Sequence, residues 1–247
     1  MSKKVEVGDV FKTSGGGFVE VVSLVGSSHL EVKSLNEEGG IYKAGKRAIK
    51  NSTARDPYKR TVLGVGYLGV GEYKATENCK STKAHAAWLG AMSRCYSDCA
   101  QRRDTTYEGC TVSKEWHNFQ KFAHWYYKQV GWRENYHLDK DILVKGNKVY
   151  SAETCCLVPP EINSLFQVYS IKKSGLPVGV FNHRNNRFKS MVKIDDSEVF
   201  LGVYDTVEEA KRAYSSVKNM YVKLKVKGYK GKISDLAYDT IYNYDWG

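Results

Sequence analysis

No run of about 18 apolar residues occurs anywhere in the 247-residue sequence, which excludes a membrane-spanning helix. The opening stretch Met1–Val10 carries charge but no apolar centre, so no secretory signal is expected. Cysteine is sparse, six in 247 residues, too few for a disulfide scaffold. No two cysteines stand in the Cys-x-x-Cys spacing of a structural zinc knuckle, and structural zinc is not expected. A nucleotide-binding loop ending in Gly-Lys-Ser/Thr is missing, as is a zinc-protease His-Glu-x-x-His. These absences point to a protein of a reducing cytoplasm.

Acidic charge is the deficient sign: 27 Asp+Glu stand against 38 Lys+Arg, for a net charge of +11. The surplus is concentrated between Ser170 and Lys232, where 14 Lys+Arg face 6 Asp+Glu. A basic region raises affinity for polyanions, nucleic acid foremost. A composition of 42% hydrophobic and 26% charged residues is that of folded domains. Aromatics, at 13%, are expected mostly in cores and half-buried sheets.

Pattern divides the chain into three segments of an α+β protein: a small β module (1–75), a middle core with helices (76–168) and a C-terminal three-stranded sheet plus helix (169–247). In the first, Phe18–Val25 and Leu30–Leu35 are short apolar runs punctuated by Gly15-Gly16-Gly17, Gly26-Ser27-Ser28 and Gly39-Gly40. A strongly bent sheet or half-open barrel is expected. In the second, Trp88, Met92 and Cys95 recur at helical spacing. Ser113 is the expected N-cap of a helix whose stripe is Trp116, Phe119, Phe122, Ala123 and Tyr126. Pro159-Pro160 breaks the segment, and Glu161–Phe166 resumes as a short helix. In the third, Pro177–Asn182, Arg187–Ile194 and Glu198–Tyr204 read as strands joined at Asn185-Asn186 and Asp195-Asp196. Thr206 and Glu209 form a capping box that opens a helix with Val207, Ala210, Tyr214, Val217 and Tyr221 on one face.

Gly64-Val65-Gly66-Tyr67-Leu68-Gly69 satisfies the dinucleotide-loop pattern, but no strand leads into it and no helix opens from it. A glycine-rich turn is expected there.

Alternation along the middle strand of the third segment puts Phe188, Val192 and Ile194 on one face. Lys189, Met191 and Lys193 share the other. Gly179-Val180, Arg187–Lys193, Leu201-Gly202, Tyr204, Thr206, Glu208-Glu209-Ala210 and Ala213-Tyr214 together resemble the plant Apetala/ethylene-response type of DNA-binding domain. That domain is also found attached to phage and homing nucleases. The resemblance implies a sheet lying in the major groove of double-stranded DNA. Arg187, Phe188 and Lys193 would make the contacts by position, with Lys189 docking beside them and Arg184 on phosphate. Phe181 and His183 stand where the plant proteins prefer arginine.

The middle segment resembles HNH-type (ββα-metal) nucleases of tailed phages. The carrying residues are Trp88, Met92, Arg94-Cys95-Tyr96, Tyr107, Gly109-Cys110, Val112, Glu115-Trp116, Phe119 and Phe122. They continue with Leu138–Ile142, Asn147, Tyr150, Cys155, Val158 and Asn163. The resemblance implies one divalent cation, Mg²⁺ or Mn²⁺, held beside a base histidine. One register sets Asp139-Lys140 on the family's Asp-His pair, with Asp139 a metal ligand and Lys140 in the position of the base. The other sets His137-Leu138-Asp139 on the family's His-Ile-Asp, with His137 as the base. Asn163 matches the final metal ligand, and Thr154 stands at the loop asparagine.

Together these readings anticipate a DNA endonuclease of phage origin acting in bacterial cytoplasm. A catalytically silent DNA-binding, regulatory or host-interaction protein on the same scaffold is the alternative. The N-terminal β module is a further candidate for binding a protein partner.

Overall fold

A computed structural model describes residues 4–166, 175–195 and 197–246. It is an α+β structure. The chain divides into two compact units, residues 1–127 and 128–247. The boundary falls inside the stretch 76–168 that the sequence pattern grouped together, and the expected junction at 168/169 lies outside the described residues. No helix among the described residues is long and apolar enough to cross a membrane.

The first unit opens with four antiparallel strands in the order of the chain: β1 (Val10–Lys12), β2 (Phe18–Val25), β3 (His29–Ser34) and β4 (Ile41–Gly45). A bulge between Val21 and Ser23 bends β2 against β3. The short helix α1 (Lys46–Lys50) follows. Val19, Val21, Leu30, Val32, Tyr42, Ala44 and Ile49 form the core on one face of this sheet, as period-two alternation requires.

Beyond the sheet come the hairpin β5 (Thr76–Glu77) and β6 (Lys80–Ser81), then helices α2 (Lys83–Tyr96) and α3 (Asp98–Arg103). β7 (Thr111–Val112) and α4 (Phe119–Lys128) complete the unit. Thr82 caps α2 by accepting the His85 amide. The expected stripe of Trp88, Met92 and Cys95 is buried, and Ala84 and Ala91 are buried with it. Ser113 does not cap the next helix through its side chain. A 3₁₀ turn occupies Lys114–His117, and Asn118 Oδ1 accepts the Gln120 amide at 2.9 Å at the start of α4.

Trp88 anchors this half of the unit. Its ring is fully buried, packs 5.6 Å from Phe119 and donates Nε1–H to the Trp116 carbonyl at 2.7 Å. Trp88→Ala is expected to cost about 3–5 kcal/mol in urea unfolding, from the lost ring and an orphaned carbonyl. The Gly64–Gly69 segment is a turn with no helix at it. A Cβ on Gly66 would sit 2.8 Å from the Trp88 ring, and one on Gly69 2.3 Å from Asn118 Oδ1. Glycine serves close packing there.

In the second unit, β8 (His137–Asp139), β9 (Val149–Tyr150), β10 (Cys156–Val158) and α5 (Pro160–Phe166) come first. β11 (Val180–Asn182), β12 (Phe188–Ile194) and β13 (Ser197–Tyr204) follow, then α6 (Val207–Lys227) and α7 (Asp235–Tyr242). β11, β12 and β13 form an antiparallel sheet in chain order, and α6 packs on it. Asn185 and Asn186 both take left-handed φ, +56° and +53°, the conformation of a tight hairpin turn. Asp195 likewise has φ +50°; its expected partner in the turn, Asp196, lies outside the described residues. The Thr206–Glu209 capping box is formed.

Helix α6 is longer than its sheet needs. Its first half buries Ala210 and Tyr214, while Val222 and Val226 join a second core. That core also holds Ile142, Cys156, Val158, Ile162, Ile233, Ala237 and Ile241. One helix thus serves both the three-stranded sheet and the β8–β10–α5 hairpin.

Candidate functional site

Strands β8 and β10 pair antiparallel, with His137 opposite Val158 and Asp139 opposite Cys156. Helix α5 follows directly, giving a strand–loop–strand–helix hairpin. His137 and Asp139 lie two apart on β8 and share a face. From α5, Asn163 brings its Nδ2 to 3.5 Å from His137 Nδ1. Asn163 Oδ1 is buried without a hydrogen-bond partner. A buried carbonyl oxygen left without a donor is costly, and a cation is one group that would satisfy it.

Asp139 is half-buried. Its Oδ1 accepts the amides of Asp141 and Ile142, both at 2.7 Å, which folds the chain into the loop. Burial pushes its carboxyl above the ordinary range, and the two amide bonds work in the opposite direction. The second carboxylate oxygen lies outside those two bonds and retains acceptor capacity.

Lys140 is turned elsewhere. Its side chain is 5% exposed, and its ammonium donates to the Asp141 carboxylate at 2.8 and 2.9 Å and to the Asn147 carbonyl at 2.8 Å. Lys140, expected as one of two candidate bases, is engaged in these bonds and pins the loop. Asn147 completes the pin: its Nδ2 donates to the Lys140 and Val149 carbonyls, and its Oδ1 accepts the Val149 amide. The sequence pattern assigned Asn147 no role, although a Gly146-Asn147 pair between two short strands signals a turn that an asparagine can close. Thr154 donates to the Val149 carbonyl at 2.6 Å from the far side of the loop.

Glu161, two residues before Asn163 on α5, accepts a hydrogen bond from the Tyr229 hydroxyl. That bond, with burial, pushes the tyrosine up to about 12 and holds the glutamate below its usual range. Cys155 and Cys156 are buried. Burial pushes the Cys155 thiol up to about 12 and Cys156 well above its usual value, so both are inert packing groups near neutral pH. Among the described residues, no group of three or more His, Cys, Asp or Glu is placed to hold a metal ion. A cation here would rely on Asp139, the Asn163 carbonyl and oxygens brought by substrate and water. That donor set suits Mg²⁺ or Mn²⁺ and not zinc.

The three-stranded sheet carries the second set of residues. Ser190 and Val192 are buried, toward α6. Lys189, Met191 and Lys193 consequently point outward from β12, and Arg187, just before the strand, is exposed. Cross-strand partners put Phe181 and Val203 beside Lys189, Phe200 beside Met191, and Glu198 beside Lys193. The Lys189 ammonium lies 5.4 Å from the centre of the Phe181 ring. Arg187 pairs with Asp205 at 2.8 Å, and Arg184 is exposed in the β11–β12 turn. Phe188 does not belong to this set. It is even-numbered on β12, opposite Asn182 and Tyr204 and half-buried on the helix side. Its place among the expected DNA contacts is corrected by the pleat.

Compared with family models, curated proteins and solved structures, the chain matches none.

Proposed function

We propose that this protein binds double-stranded DNA through the outer face of β11–β13 and cleaves its phosphodiester backbone at the β8–β10–α5 hairpin. The observation that carries the reading is the pairing of His137 with Asn163, whose buried carbonyl oxygen has no partner. Asp139 stands on the same strand face as His137.

In this reading His137 takes the proton from the attacking water, which a neutral imidazole can do near neutral pH. Asp139 and the Asn163 carbonyl would hold a divalent cation. When bound, that cation supplies charge stabilisation for the phosphate and the leaving oxygen. Lys140 and Asn147 keep the loop between the strands in shape. On the sheet, Arg187, Lys189 and Lys193 meet the duplex, with Arg184 on a phosphate. Linking a binding sheet to a cutting hairpin raises the local concentration of substrate at the hairpin.

Asp139→Asn is the decisive variant, because the amide oxygen keeps the two backbone bonds while the charge is removed. Supercoiled plasmid incubated with Mg²⁺ or Mn²⁺ is expected to be nicked by the wild type, and not by Asp139→Asn or in chelator. DNA binding that persists without any nicking, on plasmid and on genomic DNA alike, would leave the protein as a binding scaffold.

The same variant has a pH signature. Burial raises the folded-state pKa of Asp139 above its unfolded value. The favourable contribution is therefore complete below the unfolded pKa and is lost as pH rises through the folded one. Asp139→Asn is expected to melt at or above the wild-type temperature at pH 7, with the gain vanishing as pH falls below the ordinary carboxylate value of 3.8, in thermal scans at pH 7 and about pH 3. A wild type that is the more stable at pH 7 would reverse that sign.

A further inference from the structure

The outward face of β11–β13 is not uniformly polar. Met191 and Phe200 form a cross-strand pair on it, and the Phe200 ring is 59% exposed. Their alignment depends on an irregularity: Ser190 pairs with Gly202 but Met191 with Phe200, so Leu201 is the extra residue of a bulge. Because Ser190 faces the helix, Met191 faces outward. Paired residues share a face, so Phe200 does too. The bulge therefore turns a phenylalanine, in place of Leu201, toward whatever covers the sheet. The apolar pair lies between the Phe181–Lys189–Val203 row and the Lys193–Glu198 row, with Arg187 and Arg184 toward the end of the sheet. Cations flanking an exposed apolar strip complement a surface that is anionic at its edges and apolar at its centre. The major groove offers that combination: phosphates on both rims, and in its floor the C5-methyl group as the apolar element of a base-pair edge.

We infer that the Met191–Phe200 pair reads the C5-methyl group of pyrimidines, so that the sheet prefers sites containing thymine or 5-methylcytosine. The inference rests on the DNA-binding reading given above. Lysine and arginine supply affinity for any duplex, and the apolar pair supplies the preference among them.

The test uses the full chain and duplexes that differ only in methyl groups. A preferred duplex is selected from a random-sequence pool. It is then remade with deoxyuridine for each thymidine, and separately with 5-methylcytosine for each cytosine. Removing one contacted methyl is expected to weaken binding about fourfold, the equivalent of one buried methylene. Phe200→Ser is expected to bind the thymine and uracil duplexes alike, with its salt dependence retained. Lys189→Gln is expected to weaken both duplexes by the same factor and to keep their ratio. Equal affinity of the wild type for thymine and uracil duplexes would overturn the methyl reading alone and leave the strip to a protein or a second copy of the chain. Failure to bind any duplex would overturn the DNA-binding reading and this inference together.

Discussion

His137→Ala is expected to slow plasmid nicking by about 10²- to 10⁴-fold, the usual contribution of a positioned general base, and to leave the unfolding midpoint almost unchanged. The side chain is exposed, and its contact with Asn163 is long, at 3.5 Å, so little packing is lost. Lys140→Met is expected to behave in the opposite way. It removes the ammonium that bonds the Asn147 carbonyl and the Asp141 carboxylate. Asp141 is half open to solvent, so water replaces most of that ion pair. The Asn147 carbonyl and the loop it holds carry the rest of the cost, about 1–3 kcal/mol. Nicking by Lys140→Met, measured well below its melting temperature, should stay within a few-fold of wild type. If instead Lys140→Met loses nicking at unchanged stability, the base is Lys140 and the His137 assignment fails.

Gly179→Ala is expected to dismantle the three-stranded sheet β11–β13. Gly179 has φ +79°, and a Cβ there would lie 2.0 Å from Cδ2 and 2.4 Å from Cε2 of Tyr214. That ring is buried between sheet and helix, so it cannot swing aside. The left-handed backbone adds about 1 kcal/mol and the overpacking about 1–3 kcal/mol. Losing this contact uncouples β11 from α6, and duplex binding should fall with it. Gly231→Ala is the control: φ is +75°, but a Cβ there would meet nothing within 4 Å, so only the backbone strain is felt. Urea unfolding and mobility-shift titration of both variants separate the clash from the strain. Equal behaviour of the two would mean that Tyr214 does not close on Gly179.

Elements whose signal is local were legible in the chain. The Thr206–Glu209 capping box, the Asn185-Asn186 turn and the Trp88–Met92–Cys95 stripe each rest on residues within one or two turns of one another. The pleat of β12 was equally readable, because alternation needs no knowledge of the partner strand. It already set Phe188 on the helix side, where the positional resemblance had counted it as a DNA contact.

What failed locally failed for a physical reason. Ser113 has the chemistry of a helix cap, but the chain takes a 3₁₀ turn first and Asn118 opens α4. Asn147 matches the nuclease pattern by position, but its four hydrogen bonds across the loop depend on where residues 140 and 149 come to rest.

By itself the sequence determined the α+β composition, the position of most helices and strands, the basic bias and the alternation of the sheet, since all of these follow from propensity, charge and period. Tertiary structure alone decided that Lys140 holds a loop, that Asn163 meets His137 with a buried oxygen unsatisfied, and that Phe200 and not Leu201 stands opposite Met191. Each of these depends on which distant backbone a side chain meets, and one bulge or one antiparallel register is enough to change the answer.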